Sequence, residues 1–397
     1  MTFVYNDYMK DKKIAKLLQQ ERKRQQEVIN LIASENTVSS DVLEALGSET
    51  TNKYAEGYPH ARYYGGNKVI DKIECTAQER ALKLYGLSEK TWGVNVQPLS
   101  GSPANLAVYG ALIPQGKKIM GMKLAHGGHL THGHKVSFSG KFWKQISFGV
   151  DEKTHKIDYE ALKKQAKKEK PALVIAGFSA YPRKINFKKM KEVADAAGAL
   201  LMVDMAHISG LVAAGEHPSP FRYADIVTTT THKTLRGPRG GMIFARKDKR
   251  KLYEKINKAV FPGMQGGPHM NQIAALAVAL KEADSAKFKT YIQRVIKNAK
   301  TLAQELSSYG WKIISKGTDN HLLLVDVWNN GTGIGGKEAS ERLEKEGIIV
   351  NMNTIPFDTR GPKNPSGIRI GTADVTTKGM KEKDMKTLAK KIHEVLS

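Results

Sequence analysis

Ile226 to Gly241 reads I-V-T-T-T-T-H-K-T-L-R-G-P-R-G-G, and the reading of the rest of the chain turns on it. The β-branched run suits a buried strand, which the following Gly and Pro residues break. Lys233 therefore stands just past a strand end. An amine that loses water there has a lowered pKa and attacks carbonyl carbon readily. A lysine in this position can equally cap a backbone carbonyl, so the stretch gains meaning only from partners elsewhere.

Two partners lie upstream. Ala199 to His207, A-L-L-M-V-D-M-A-H, is an apolar strand that delivers Asp204 at its carboxyl end, where ligands bind in open α/β sheets. A carboxylate there can keep a pyridine nitrogen protonated and make the ring an electron sink. It is also compatible with a helix cap. With a lysine about thirty residues further on, also ending a strand, the cofactor reading is preferred. Val94 to Leu106, V-N-V-Q-P-L-S-G-S-P-A-N-L, runs from a strand into Ser100-Gly101-Ser102. Ser102 is expected as the helix N-cap with Pro103 at the first helical position. The open N–H groups of such a turn, with the helix dipole, suit a phosphate. Phosphate, ring nitrogen and aldehyde would then each have a place.

Around these motifs short apolar runs alternate with helical patterns. The runs are Trp92 to Val96, Leu173 to Ala176, Ala199 to Val203, Ile226 to Thr230 and Gly241 to Phe244. This predicts an α/β fold with a largely parallel sheet. A long helical stretch, Asn271 to Leu306, follows. The strand pattern then restarts at Trp311 to Ser315, His321 to Val327, Ile348 to Asn351 and Gly367 to Ile370. A last helix aligns Met385, Leu388, Ile392 and Val395. An amphipathic helical segment with Ile14, Leu17, Leu18, Val28, Ile29 and Ile32 opens the chain. The expected division is an amino-terminal arm and helix (1–55), a large α/β domain (56–280) and a small α+β domain (281–397).

Composition narrows the class. A chain of 397 residues, 40% hydrophobic, can bury a large core. Its one cysteine, Cys75, rules out an internal disulfide and points to a reducing compartment. The first eleven residues lack the pattern of a secretory signal, and no apolar stretch is long enough to span a bilayer, so a cytoplasmic protein is expected. The net charge of +24 would attract anions, RNA among them. The excess is spread along the chain, whereas nucleic-acid modules concentrate it beside stacking aromatics. Solvated lysine-rich helix faces explain it better than an RNA-binding role.

Further motifs accompany the three above. They are L-I-A-S-E-N (Leu31 to Asn36), N-K-Y-A-E-G-Y-P (Asn52 to Pro59), R-Y-Y-G-G (Arg62 to Gly66), H-G-G-H-L-T-H-G (His126 to Gly133), F-P-G-M-Q-G-G-P (Phe261 to Pro268) and S-G-I-R-I-G-T (Ser366 to Thr372). In this order, over nearly the whole length, they resemble the serine hydroxymethyltransferase family. The resemblance implies an aspartate-aminotransferase-like fold (fold type I), with a mostly parallel seven-stranded sheet and a smaller carboxyl-terminal domain. It implies a homodimer with shared sites, compatible with a tetramer, and pyridoxal 5'-phosphate held as a Schiff base on Lys233. It further implies reversible transfer of the serine hydroxymethyl carbon to tetrahydrofolate.

By that resemblance Asp204 pairs the ring nitrogen, His129 stacks on the ring, and Gly101 and Ser102 hold the phosphate. Tyr54 and Gly267 are expected from the partner subunit. Ser179 and His207 lie against the phenolic oxygen and the substrate carboxylate. Arg369 clamps that carboxylate with help from Ser34 and Tyr64, as a planar guanidinium does well. Thr230 and His232 shape specificity, and Arg239 lies near the cofactor lysine. Glu56 handles a proton and contacts the folate, which Tyr63, Leu124, Gly128, Leu130 and Asn353 also touch. Without its neighbours, Glu56 would read as a surface carboxylate. The His-rich loop is not expected to bind metal. Gly361-Pro362-Lys363 and Ala373-Asp374 depart from common family patterns and leave the nearby folate contacts and the loop behind Arg369 open. The closest rival is a related aldolase or methylserine-specific enzyme.

Overall fold

The computed structural model describes residues 9–397, so the first eight residues of the expected arm lie outside the described residues. Seven strands make the large sheet: β1 (Trp92–Asn95), β2 (Lys118–Met122), β3 (Lys144–Phe148), β4 (Leu173–Gly177), β5 (Leu200–Asp204), β6 (Ile226–Thr230) and β7 (Gly241–Arg246). Their order is β1-β7-β6-β5-β4-β2-β3. Only the two pairings of β7 are antiparallel.

Alternation along each strand feeds two apolar layers. Val174, Ala176, Leu201 and Val203 pack with Phe187, Met190 and Val193 of helix Phe187–Ala197. Leu173, Ile175, Met202 and Ile226 join Ala104, Ala107 and Val108 of helix Gly101–Leu112 on the other face. β2 and β3 went unread in the sequence. K-I-M-G-M carries Gly121, where an added Cβ would come within 2.7 Å of the His132 carbonyl oxygen. K-Q-I-S-F is an edge strand and mostly half-buried, so its apolar signal is thin.

Four antiparallel strands make the second sheet, in the order β8-β9-β11-β10: β8 (Lys312–Ile313), β9 (Leu322–Asp326), β10 (Asn351–Asn353) and β11 (Gly367–Gly371). Leu323, Val325, Ile368 and Ile370 pack on Met385, Leu388 and Ile392 of the last helix, Glu382–Leu396. Arg369, between two inward isoleucines, consequently faces away from that core and donates to the Ser179 carbonyl, 2.7 Å away.

Three readings need correction. The stretch Asn271 to Leu306 is two helices, Met270–Ala283 and Ala286–Ser308. The break is capped by Ser285, whose hydroxyl accepts from the Phe288 N–H. Helix Lys12–Glu27 ends before Val28, and Ile29 instead pairs with Ile348 in a short parallel bridge. Ile14, Leu17 and Leu18 are about half exposed, so the helix buries only Ala15 within its own chain. Finally, helix Gly101–Leu112 begins earlier than expected, with Ser100 as N-cap and Pro103 as its third residue. The first four N–H groups of any helix lack intrahelical partners, so Pro there costs no hydrogen bond.

Candidate active site

The carboxyl ends of β4, β5 and β6 are in register: Gly177 is paired with Asp204, and Asp204 with Thr228. They open onto a cavity of about 350 Å³. Lys233 follows β6 into it. Its backbone carbonyl is held by the Asn36 side-chain amide at 3.0 Å, while its amine makes no hydrogen bond to any described residue. Burial pulls the amine down from 10.5 to about 8, with Arg369 and Arg239 adding to the effect and Asp204 opposing it. Near neutral pH an appreciable part is free base. Loading of a carbonyl cofactor should therefore speed up as pH rises toward about 8 and level off above it, since only the free amine attacks. Incorporation rates at fixed aldehyde concentration check this; a rate independent of pH over this range would contradict it.

Asp204 is braced on three sides. Oδ2 accepts from Asn105 Nδ2 at 2.9 Å and His132 Nε2 at 3.0 Å, and Oδ1 accepts from the Ala206 N–H at 3.1 Å. Burial pushes the carboxyl up, but His132, His129 and Asn105 outweigh it and hold the group ionised, well below the usual carboxylate range. A carboxylate offers about four acceptor positions, so one remains for an N–H in the cavity. Its side chain keeps 11% of its surface exposed, enough to reach such a donor. His129 is pushed down to about 4 by burial, so a neutral ring lines the wall; its Nδ1 meets Thr131 Oγ1 at 2.7 Å.

Opposite stands the amino terminus of helix Gly101–Leu112. The Ser100 side chain makes no capping bond, which leaves the first N–H groups open to an anion. A Cβ on Gly101 would lie 2.6 Å from Thr230 Cγ2, so only glycine brings this backbone so close to β6. Anion site, ionised acceptor and free amine thus border one cavity. A phosphorylated pyridine aldehyde fits those three features.

Arg369 supplies a fourth. It donates through Nε to Asn351 Oδ1 at 3.0 Å and through Nη1 to the Ser179 carbonyl, but no carboxylate pairs with it among the described residues. Burial lowers its pKa to about 10, so it remains a cation. A half-buried guanidinium without a counter-ion is prepared for a ligand carboxylate. Ser34, Ser102, Ser179, His207, Thr230, His232 and Arg239 also line this cavity.

The sequence reading passed over His132 and Asn105, the two side chains that brace Asp204. Both stand inside quoted motifs, and the spacing of His129 and His132 was the available signal. The structure does not bring every expected residue here. Tyr54, Glu56, Tyr63, Tyr64 and Gly267, with Leu124, Gly128, Leu130 and Asn353, lie outside the lining of the Lys233 cavity. Glu56 and Tyr63 instead border a second cavity of about 450 Å³ against Phe261 to Gly266. Tyr54 packs on Gly267. The Glu56 loop is held firmly: the Arg62 guanidinium donates to the carbonyls on either side, Ala55 at 2.8 Å and Gly57 at 3.0 Å. It also pairs with Asp71 at 2.9 Å and with Glu74 at 2.6 Å, both on helix Lys68–Leu84. Tyr63 and Tyr64 nonetheless stay 80% and 45% exposed, an uncommon state for adjacent aromatics.

No cluster of His, Cys, Asp or Glu suited to a metal ion occurs among the described residues, and no described helix is long and apolar enough to cross a membrane. A family model described as serine hydroxymethyltransferase matches residues 8–392, nearly the full length, and the chain belongs to that family.

Proposed function

We propose that the family's reaction takes place in the Lys233 cavity and that the Glu56 loop of a second copy completes it. The chain is a pyridoxal-phosphate-dependent serine hydroxymethyltransferase. It interconverts serine and tetrahydrofolate with glycine and 5,10-methylenetetrahydrofolate. One observation carries the residue assignment. The half-buried cation Arg369, the amine of Lys233 and the ionised Asp204 share one cavity, while Tyr63 and Tyr64 beside Glu56 stay largely exposed and pack only edge-on against each other and Tyr54.

In this reading Lys233 anchors the cofactor, Asp204 and His129 hold its ring, and Gly101 and Ser102 hold its phosphate. Bound there, the cofactor draws off the electrons left at the substrate Cα when a carbon–carbon bond breaks. Arg369 grips the substrate carboxylate as a fork, with Ser34 beside it, and so fixes which Cα bond can break. Ser179 and His207 face the same substrate, Thr230 and His232 shape the space for its side chain, and Arg239 adds positive charge. Burial holds His232 down at about 3, so it acts as a neutral ring.

Tyr54, Glu56, Tyr63, Tyr64 and Gly267 enter from the partner, which makes the enzyme a homodimer, with a tetramer as an assembly of dimers. The half-exposed apolar face of helix Lys12–Glu27 supports such pairing. Leu124, Gly128, Leu130 and Asn353 complete the folate side. Single-cysteine usage supports a cytoplasmic enzyme.

Glu56→Gln tests the division of labour. Loss of the proton-transfer group should lower folate-dependent serine cleavage by about 10²- to 10⁴-fold. Cofactor binding and slow folate-independent cleavage of other 3-hydroxy amino acids should persist. Serine cleavage at the wild-type rate would remove Glu56 from the mechanism.

A further inference from the structure

His207 forms part of the wall of the Lys233 cavity and also borders a small space of about 10 Å³, shared with His321 and Asn320. His207 Nδ1 lies 3.3 Å from His321 Nε2, with ring centroids 5.4 Å apart and planes inclined by 27°. His321 is fully buried and has no place in the cofactor cavity itself. We propose that His321 is a positioning residue for His207, fixing through one shared proton which ring nitrogen presents a hydrogen to the cofactor cavity. The proposal rests on the reading of that cavity given above.

Two imidazoles can make a nitrogen-to-nitrogen hydrogen bond only if one nitrogen bears the hydrogen and the other a lone pair. Here both rings are neutral. Burial pushes His207 far down and His321 to about 3, and Lys233 and Arg369 disfavour a third positive charge on either. With one hydrogen between the inner nitrogens, the tautomer of one ring dictates that of the other. Whatever fixes the hydrogen on His321 therefore also fixes which face, donor or acceptor, His207 shows the cavity. Nδ1 of His321 is buried and makes no hydrogen bond of full geometry, but the Ala33 backbone acts on this ring as a hydrogen-bond acceptor and favours a hydrogen on the nitrogen that faces away from His207.

The placement adds a second function. His207 follows β5 of the large sheet, whereas His321 immediately precedes β9 of the small one. β9 pairs with β11, and Leu324 stands opposite Arg369. The His321 carbonyl also accepts from the Thr372 N–H at 3.0 Å, just beyond that strand. One rigid element therefore orients both the carboxylate clamp and, through His321, the imidazole across from it.

His321→Phe and His321→Gln test this. Phenylalanine keeps a flat ring without nitrogens; glutamine keeps an amide able to donate or accept. Nitrogen-15 NMR of histidine-labelled holoenzyme should show one neutral His207 tautomer in the wild type and a mixture in His321→Phe. The same variant should lose about ten- to a hundredfold in kcat, the scale on which an orienting partner acts, with KM for serine little changed. His321→Gln should restore a single tautomer and most of kcat, and it carries the test alone if the phenylalanine variant does not fold. An unchanged His207 tautomer in His321→Phe, or a glutamine variant as impaired as the phenylalanine one, would overturn the proposal. Failure of the wild type to cleave serine would instead strike the functional reading beneath it.

Discussion

Lys233→Ala should lose serine cleavage by roughly a thousandfold or more, the scale expected when a covalent anchor is removed. The loss is in chemistry, since the helix amino terminus at Ser100, the braced Asp204 and Arg369 all remain to bind cofactor and amino acid. The variant should therefore still take up pyridoxal phosphate and bind serine, and turnover should stop. A small primary amine added in solution should recover part of the rate, because it fills the space left by the side chain and supplies the missing nucleophile. Turnover within tenfold of wild type without added amine would mean that another group carries the cofactor.

Arg369→Ala should act almost as strongly, but through the substrate. Removing one partner of a desolvated, hydrogen-bonded charge pair costs roughly 2–5 kcal/mol, which corresponds to a 30- to 5,000-fold fall in kcat/KM for serine. Part of the loss should appear in kcat, because a carboxylate held by one contact no longer fixes the rotation about the Cα bond that breaks. Arg369→Lys should recover only a fraction, since lysine returns the charge without the planar fork. Steady-state kinetics on serine decide it. If Arg369→Ala raised KM for folate and left serine kinetics intact, the guanidinium would belong to the other substrate.

What was legible in the sequence was what is local. β6 and β5 are continuous apolar or β-branched runs, and Lys233 and Asp204 stand at or just past their ends; strand direction alone sends both to one edge of the sheet. The Ser100 turn was legible as a helix start but displaced by two residues, because Pro103 is tolerated anywhere in a first turn. β2 and β3 were hidden by a glycine and by edge polarity. Tertiary partners were not legible at all. The contact between Arg369 and the Ser179 carbonyl spans 190 residues, and the contact between His207 and His321 spans 114. His132 stands in the same quoted motif as His129 but went unremarked, because only the fold shows that it braces Asp204. The Glu56 loop shows the limit most clearly. Its motif marks it as important, but its exposure in one chain is visible only in three dimensions and is what motivates the proposal of a second copy.

That shared site is best tested by combining two inactive chains. Lys233→Ala and Glu56→Gln are each expected to be nearly inert, and in a hybrid dimer one of the two sites would take Lys233 from one chain and Glu56 from the other. Co-expression of the differently tagged chains, followed by isolation of the doubly tagged dimer, should yield about half the wild-type folate-dependent serine cleavage per dimer, as two-fold symmetry requires. A hybrid no more active than the two parent variants would show that Glu56 serves the Lys233 of its own chain, and the account of a site divided between subunits would fail.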